Sequence, residues 1–406
     1  MSTAPARPFP LFRLLVIAGA IFASVTSEFL PTGLLPDMAG ELRVSESQIG
    51  LLVTVFAGTV VLTTAPLAML TRPLSRKRLM IATLLVVAVA NVAAALAPTY
   101  ELLMGARILG GLAHGLFWAV TGPYASRIVP RHQLARAVAV TNIGGTLAFV
   151  LGVPLGTALG HALGWRAAFA IMGAVVLVLM VLVMVALPAV SHLVPLATGE
   201  IPTPVRRDPT LRAVLAVCVT VLLVMIGHNA FYTYIAPWII EVGRMPGDSV
   251  SVLLFVYGGA GAVGVLLAGI LGDRFPRATP IGAIAGVAVA VAVLGAVARE
   301  PWAIIAMLAV WSIAFGGLPA IFQTRLLHSA SPRLRDVASA WLTTSFNIAI
   351  GGGALIGGIL LDVWGVGWLP AVMTVLVGAG LVFAIATTPK RVPGHTGIIP
   401  VQGSRD

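Results

Sequence analysis

The chain is a succession of long apolar runs separated by short polar connections. A helix of about 20 apolar residues crosses the hydrocarbon core of a bilayer, so each run predicts one membrane-spanning helix. Twelve runs occur, at residues 11–36, 47–71, 79–98, 102–126, 134–160, 166–188, 211–240, 250–272, 279–298, 301–326, 336–361 and 365–388. The first run is too long for a cleaved secretory signal and contains Glu28, Pro31 and Pro36, so we expect it to be retained.

Composition excludes a soluble enzyme of several domains. Apolar residues make up 59% of the 406 residues and charged residues only 10%, with a mean hydropathy of +1.02. Soluble domains carry about a quarter charged residues. The net charge of +11 does not predict nucleic-acid binding, because the basic residues stand in small groups between apolar runs. The single cysteine, Cys218, lies in an apolar run and has no partner for an internal disulfide.

The basic residues predict how the helices are oriented, because cytoplasmic loops are enriched in Lys and Arg. With a cytoplasmic N terminus, 20 of the 25 Lys and Arg residues fall on the cytoplasmic side and Arg107 lies within a run. The outer side keeps only four: Arg43, Arg166, Arg244 and Arg299. We therefore expect both termini in the cytoplasm.

Three features repeat at an offset of 201 residues, which is typical of a duplicated transporter. Pro36 corresponds to Pro237 and Glu28 to Asn229, and two loop positions repeat as well, namely Ala68 with Gly269 and Arg72 with Asp273. The longest polar connection, 189–210, lies between the two copies. We expect a bundle of six helices in 1–188, a cytoplasmic linker in 189–210, a second bundle in 211–388 and a cytoplasmic tail in 389–406.

Few ionisable residues occur inside the runs, and such residues usually face a partner or a cavity. Deep within the runs, in the hydrocarbon core, they are Glu28, Arg107, His114 and His228. Glu28 and Arg107 lie at similar depths, so they can pair. Burial favours the protonated acid and a guanidinium favours the ionised acid, so a movement that separates the two groups changes proton affinity. We interpret Glu28 as the proton carrier and Arg107 as the group that tunes it. A static ion pair, or Arg107 capping helix carbonyls, stays open as the alternative.

Polar and aromatic residues at helical spacing predict a lined cavity. In the fourth run, Arg107, Gly111, His114, Trp118 and Thr121 fall within about 40° of one line on the helix. Packing between helices, with His114 hydrogen-bonded to a neighbour, is the alternative. The glycines Gly351–Gly353 are placed to loosen or bend the eleventh helix. The candidate substrate-binding residues are His114, Phe117, Trp118, His228, Asn229, Tyr232, Thr343 and Asn347.

Several motifs resemble those of the major facilitator superfamily. Gly269-Ile-Leu-Gly272-Asp273-Arg274 is similar to its loop signature, and the first half carries only the basic end of that loop, Arg76-Lys77-Arg78. Arg107 and Gly111 have the family's spacing in span four, and Gly152-Val-Pro154-Leu-Gly156 is similar to its antiporter motif. The resemblance implies two pseudo-symmetric bundles around a central cavity. We expect Gly269, Asp273, Arg274 and Arg76 to act as a conformational latch; topology and lipid contact are the alternative for the basic cluster.

Three further stretches look like the bacterial sugar efflux transporters of the drug:proton antiporter branch. They are Ser27–Leu35, Ala113–Trp118, and Phe346-Asn347-Ile348 followed by the glycine run. The resemblance implies proton-driven export and leaves the substrate open. We expect a monomer in the inner membrane. The mixture of aromatic rings with amide, hydroxyl and imidazole groups favours sugars, and amphenicol-type drugs are the second candidate.

Other functional classes fit the sequence less well. No H-E-x-x-H or G-x-S-x-G motif and no carboxylate pair within a run occurs, so hydrolytic and metal chemistry lack their groups. We therefore expect no enzyme activity, no metal and no cofactor, with the proton gradient as energy source. A proton-independent facilitator remains an alternative, although it does not need Glu28.

Overall fold

The computed structural model describes residues 9–189 and 208–388, and these ranges are helical without any β-strand. The helices are α1 (Leu11–Gly33), α2 (Leu35–Leu42), α3 (Glu46–Leu70), α4 (Arg76–Leu96), α5 (Tyr100–Arg127), α6 (Leu134–Leu147), α7 (Val153–Leu163), α8 (Trp165–Ala186), α9 (Leu211–Tyr232), α10 (Ile235–Pro237), α11 (Ser249–Arg274), α12 (Ala278–Ala296), α13 (Pro301–Gly316), α14 (Leu318–Ser329), α15 (Arg335–Trp364) and α16 (Leu369–Thr387).

Twelve helical segments of the described chain are long and apolar enough to cross a membrane, which confirms the twelve predicted spans. Two spans are composite. Span five consists of α6, a π-helical turn at Ala148–Gly152 and α7, and span ten consists of α13 and α14. The predicted linker lies mostly outside the described residues, and the predicted tail lies entirely outside them.

Local sequence explains where several helices begin. At the start of α3, the Ser45 side chain accepts a hydrogen bond from the Gln48 amide, and the Gln48 side chain accepts one from the Ser45 amide. This reciprocal cap satisfies two amides that the first turn leaves unpaired. Helices α13, α14 and α16 each have a proline in the first two positions, where the missing N–H costs nothing.

The 201-residue repeat is visible in the backbone. The non-glycine residues with positive φ in the described chain are Arg43, at 55°, and Arg244, at 51°. Gly164 and Gly365 are the glycines with positive φ, at 88° and 85°. Both pairs have the offset of 201 residues, so corresponding connections of the two halves turn in the same way.

We call the two ends of the bundle the Asp37 end, which carries α2, and the Arg76 end, which carries the start of α4. Spans of the two halves meet in the part nearer the Asp37 end. Thr54 of α3 donates to the Gly351 carbonyl of α15 at 3.0 Å. On the other side of the bundle, Gly258 of α11 lies against the backbone of Phe149 in span five. These contacts close the bundle at the Asp37 end.

Candidate functional site

Pro31 interrupts the hydrogen bonding of α1. Its nitrogen carries no hydrogen, so the carbonyl four residues earlier, that of Ser27, loses its helical donor. Arg107 of α5 supplies the replacement: Nη1 donates to the Ser27 carbonyl at 2.9 Å and Nη2 to the Glu28 carbonyl at 2.8 Å. Arg107 therefore caps helix carbonyls, which was the alternative to a pair between the Arg107 and Glu28 side chains.

The Arg107 guanidinium is buried, with 3% of the residue exposed. Its central carbon lies 4.3 Å from the centroid of the Phe56 ring on α3, a position in which the ring attracts a cation. The guanidinium is thus held between α1 and α3. A cation fixed there stabilises negative charge nearby without forming a direct bond to it.

The Glu28 carboxyl group faces His114 instead. Oε2 of Glu28 lies 3.4 Å from Nε2 of His114, and both residues are buried. Oε1 of Glu28 is buried without a protein partner. His114 makes two further contacts: Nδ1 lies 2.9 Å from the Ser24 hydroxyl, and Nε2 accepts a hydrogen bond from Trp118 at 2.8 Å.

These contacts give one proton two alternative positions. When Nε2 of His114 accepts from Trp118, the imidazole is neutral and its hydrogen lies on Nδ1, facing Ser24. Nε2 has a single lone pair, so a proton on the Glu28 carboxyl competes with the Trp118 indole for the same acceptor. When the proton moves to Nε2, the imidazolium pairs with the Glu28 carboxylate and Trp118 loses its acceptor. The position of the proton therefore determines whether the Trp118 indole keeps this acceptor; Trp118 is 37% exposed.

Neighbouring helices fix α1 and α5 in register around this site. The Ser27 hydroxyl donates to the Asn91 side chain of α4 at 2.9 Å, and the Asn91 amide donates to the Val87 carbonyl at 2.8 Å. A Cβ at Gly111 would lie 2.7 Å from the Phe56 carbonyl oxygen. Only glycine therefore lets α5 approach α3 closely enough to place Arg107 over the ring.

Among the described residues of the second half, no Asp, Glu, Lys or Arg occupies a position that corresponds to Glu28, Arg107 or His114. His228 of α9 stacks on Phe315, with the ring centroids 3.6 Å apart, and on Tyr232, with the centroids 5.1 Å apart. Asn229, at the repeat position of Glu28, turns its amide to the Met225 carbonyl of its own helix at 2.8 Å. Asn229 also packs against Gly353 of α15. A Cβ added at Gly353 would lie 2.7 Å from the Cβ of Asn229.

Two of the three glycines in the Gly351–Gly353 run of α15, Gly351 and Gly353, serve close packing. Helix α15 continues unbroken from Arg335 to Trp364, so Gly351–Gly353 do not interrupt it, and the expected loosening or bending stays a prediction. A Cβ at Gly351 would lie 3.2 Å from the Thr54 carbonyl oxygen in the other half. One to two turns earlier, Thr343 is exposed and its carbonyl accepts from the Asn347 amide at 3.0 Å.

The structure adds residues that the sequence did not indicate. Ser24 precedes Glu28 by one helical turn, so its spacing alone points to the same face of α1. Trp311, Tyr257 and Phe315 give no such signal, because they stand in apolar runs like any packing residue. Phe117 was predicted from its motif; it is fully buried beside Trp118, with the ring centroids 6.4 Å apart.

Comparison with known proteins decides the family. The sequence model of the Major Facilitator Superfamily matches residues 17–247 and 217–405. The chain belongs to the Major Facilitator Superfamily. It is accordingly a multi-pass secondary transporter of small molecules and not an enzyme. Members of this superfamily need no cofactor, and the described residues contain no group of side chains arranged to hold a metal ion.

Individual superfamily members resemble the chain over most of its length. A protein named "Probable sugar efflux transporter" from Mannheimia succiniciproducens is 32% identical over 388 residues, covering 94% of this chain and 96% of that protein. A protein of the same name from Helicobacter pylori strain G27 is 32% identical over 363 residues, covering 89% of this chain and 92% of that protein.

A solved structure shares the fold. It is a bacterial homolog of the human lysosomal transporter Spinster in an inward-facing and occupied conformation. The two structures superpose with a TM-score of 0.72 at 16% sequence identity, over 94% of this chain and 96% of that chain. The same protein in its unoccupied conformation gives a TM-score of 0.70. The likeness confirms the predicted fold, with two bundles of six helices each.

The superfamily loop motif lies at the Arg76 end, apart from the buried site. Gly269, Asp273 and Arg274 are exposed, and a Cβ at Gly269 would meet no heavy atom within 4 Å. The Arg274 guanidinium lies 5.5 Å from the ring of its neighbour Phe275. Arg76 is half-buried at the start of α4. The predicted latch residues are therefore placed at one end of the bundle, with the motif helix open to solvent.

The superfamily antiporter motif in span five packs closely against α1. A Cβ at Gly152 would lie 3.0 Å from the Thr26 Cβ, and a Cβ at Gly156 would lie 2.6 Å from a Leu30 methyl carbon. The two glycines are four residues apart, so they face the same neighbour. Pro154 follows the π-helical turn at Ala148–Gly152. The motif thus places α1, and with it Glu28, against span five.

Proposed function

We propose that this protein is a proton-coupled antiporter that exports sugars or sugar-like solutes by alternating access. Support for the substrate class comes from relatives named for sugar efflux, which cover nine-tenths of the chain at 31–32% identity. The observation that carries the coupling is the contact between the Glu28 carboxyl and His114, since both groups are buried within spans and, among the described residues, each faces the other rather than a Lys or Arg side chain. Such groups in a membrane protein characteristically serve proton transfer.

In this mechanism a proton entering from outside protonates the Glu28–His114 pair. The proton's position decides whether Trp118 keeps its bond to Nε2, and Trp118 is the partly exposed member of the network. Substrate contacts with the lining residues bias the same rearrangement. Arg107 remains bound to the carbonyls of Ser27 and Glu28, so it tunes the site electrostatically from a fixed position.

The contacts between the halves support a conformation closed at the Asp37 end. We infer that this end faces outward and that the Arg76 end, which carries most of the basic residues, faces the cytoplasm. The bundles 1–188 and 211–388 then move about the linker 189–210, with both termini in the cytoplasm. The proposed setting is a monomer in the lipid of a cell's inner membrane.

Two alternatives make different predictions. An amphenicol or other drug antiporter retains proton coupling and differs in the solute that drives it. A facilitator moves solute without protons, which leaves the buried acid without a function. The observations favour neither over sugar antiport.

The decisive test uses purified protein in liposomes that contain a pH-sensitive dye. A proton gradient is imposed and pentoses, hexoses, thiogalactosides and chloramphenicol are added in turn. Proton movement that starts on adding a sugar supports the proposal, and movement driven only by chloramphenicol replaces it with drug export. Solute flux without proton movement overturns coupling in favour of a facilitator.

A further inference from the structure

A compact aromatic cluster in the second half contains buried polar atoms without protein partners. Its four rings are those of His228 and Tyr232 on α9, Tyr257 on α11 and Trp311 on α13. The centroid distances are 5.1 Å for Tyr232–Tyr257, 5.1 Å for Tyr257–Trp311 and 5.4 Å for His228–Trp311. Nδ1 of His228, the hydroxyl of Tyr257 and Nε1 of Trp311 are all buried and unpaired.

Three unpaired groups in one place are unusual, because buried polar groups are nearly always hydrogen-bonded. The residues themselves are almost inaccessible, with exposed fractions of 5% for His228, 6% for Tyr257 and 0% for Trp311. Helices α9, α11 and α13 contribute one such group each.

The chemistry of the set defines what it binds. The indole Nε1–H only donates, the Tyr257 hydroxyl donates or accepts, and Nδ1 of His228 takes either role according to tautomer. The rings offer flat apolar faces beside these groups, and none of the four side chains carries an acid or a fixed positive charge. A neutral ligand with several oxygen acceptors and an apolar C–H face satisfies all of these features.

The cluster lies where the two halves meet. Phe149, in the π-helical turn of span five, has its ring centroid 6.5 Å from that of Tyr232 and 4.9 Å from that of Phe29 on α1. Phe29 adjoins Glu28 in the chain. A ligand held by the cluster is therefore separated from the proton site by two aromatic rings, and movement of one half against the other changes both.

In this conformation the cluster is closed. The cleft beside Tyr232 and Tyr257 is lined by the aliphatic residues Ile235, Ile239, Leu253, Leu254 and Leu308 and has no room for a water-sized molecule. Phe315 stacks on His228 and is itself partly exposed. It directly precedes the break between α13 and α14 at Gly316 and Gly317, so it is the ring whose displacement exposes the imidazole.

We propose that His228, Tyr257 and Trp311 form a subsite that binds the hydroxyl and ring oxygens of a sugar while the surrounding rings cover its C–H face. This inference rests on the proposed function and adds two residues, Tyr257 and Trp311, to the predicted lining. The first half then handles the proton through Glu28, and the second half recognises the solute through neutral groups.

The test uses Tyr257→Phe and Trp311→Phe, which remove one polar group each and keep an aromatic ring. Trp238→Phe is the matched control, because Nε1 of Trp238 is also buried and unpaired and its ring packs on Phe231, at 5.4 Å. Equilibrium binding of the sugar that drives proton movement is measured on each purified protein. We expect Kd to rise about five- to tenfold for each of the two variants, the usual loss for one hydrogen bond, and to change little for the control.

A deoxy-sugar series gives a second readout that a structural defect does not imitate. A sugar lacking the hydroxyl bound by Tyr257 binds the wild type more weakly but binds Tyr257→Phe with no further loss. Unchanged Kd values in both variants, with the wild type still moving protons in response to the sugar, overturn this subsite and leave sugar antiport standing. If no sugar moves protons in the wild type, the proposed function itself fails.

Discussion

Arg107 contacts Glu28 through the backbone, donating to its carbonyl oxygen at 2.8 Å, while the Glu28 carboxyl lies beside His114. The arrangement follows from Pro31, which leaves the Ser27 carbonyl without a helical donor and makes this part of α1 a binding site for a guanidinium. In the proposed mechanism, the charge that tunes the acid is thus held in place by α1 itself. A proton can leave Glu28 without breaking any bond that Arg107 makes.

The link between Arg107 and Pro31 is open to a double-mutant test. Arg107→Gln removes two charge-assisted bonds to buried carbonyls and should destabilise the protein by about 2–3 kcal/mol. Pro31→Ala restores an N–H for the Ser27 carbonyl, so Arg107→Gln should lower the melting temperature in detergent less in that background. Pro66→Ala, in the interior of α3, is the control background. If Arg107→Gln lowers the melting temperature equally in the wild-type, Pro31→Ala and Pro66→Ala backgrounds, the bond from Arg107 to the Ser27 carbonyl does not depend on Pro31.

Gly258 determines how closely the halves meet near the Asp37 end. A Cβ at Gly258 would lie 2.6 Å from the Val150 Cα across the interface, whereas a Cβ at Gly259 would meet no heavy atom within 4 Å. Gly258→Ala should therefore favour opening of the Asp37 end, and a shift of about 1 kcal/mol changes the open population about fivefold. Maleimide labelling of Ile240→Cys, which lines the cleft there, measures this in a Cys218→Ser background.

In that experiment, the cysteine of Ile240→Cys should react with maleimide at the parent rate when Gly259→Ala is added. Equal labelling of Gly258→Ala and Gly259→Ala would mean that the interface absorbs the extra methyl group without opening.

Asp208 lies outside the spans, and its hydrogen bonds should stabilise the protein in a way that is lost in acid. Its carboxyl accepts hydrogen bonds from the Ser331 hydroxyl at 2.6 Å and the Thr210 amide at 2.8 Å, and the bonds from these two residues hold the pKa of Asp208 below its ordinary value of 3.8. Because the pKa is lower in the folded state, the ionised carboxyl stabilises the fold at pH values above the ordinary pKa. This stabilisation is lost as the pH falls through the pKa of the folded state.

Asp208→Asn should consequently lower the melting temperature at neutral pH and flatten its decline in acid. The exposed Asp248→Asn serves as the comparison. A decline in acid that is identical in wild type and Asp208→Asn would rule out this contribution.

The fold was predictable from the sequence because each span is a long apolar run, and hydropathy determines a span's position within a few residues. The breaks were harder to predict. Pro36 and Pro237 were assigned to the ends of long runs, but α1 ends at Gly33 and α9 at Tyr232, each before a short helix. Span ten reads as one run, although it is two helices that meet at Gly316 and Gly317.

The proposed proton site was only partly predictable. Depth along the runs placed Glu28 near Arg107, and helical spacing put His114 on the same face as Arg107. Neither could say which atoms meet, or show that Pro31 frees a carbonyl for Arg107. The aromatic cluster was not predictable beyond His228 and Tyr232. Its remaining rings, Tyr257 and Trp311, come from distant apolar helices that carry no polar pattern around them.

The central claim is that Glu28 carries the coupled proton, and sugar-dependent proton movement in liposomes tests it most directly. The comparison is between wild type, Glu28→Gln and the exposed-site control Glu300→Gln. The account predicts that Glu28→Gln abolishes proton movement while exchange of labelled sugar at equal concentrations continues, and that Glu300→Gln behaves like wild type. Proton movement by Glu28→Gln at the wild-type rate would contradict it.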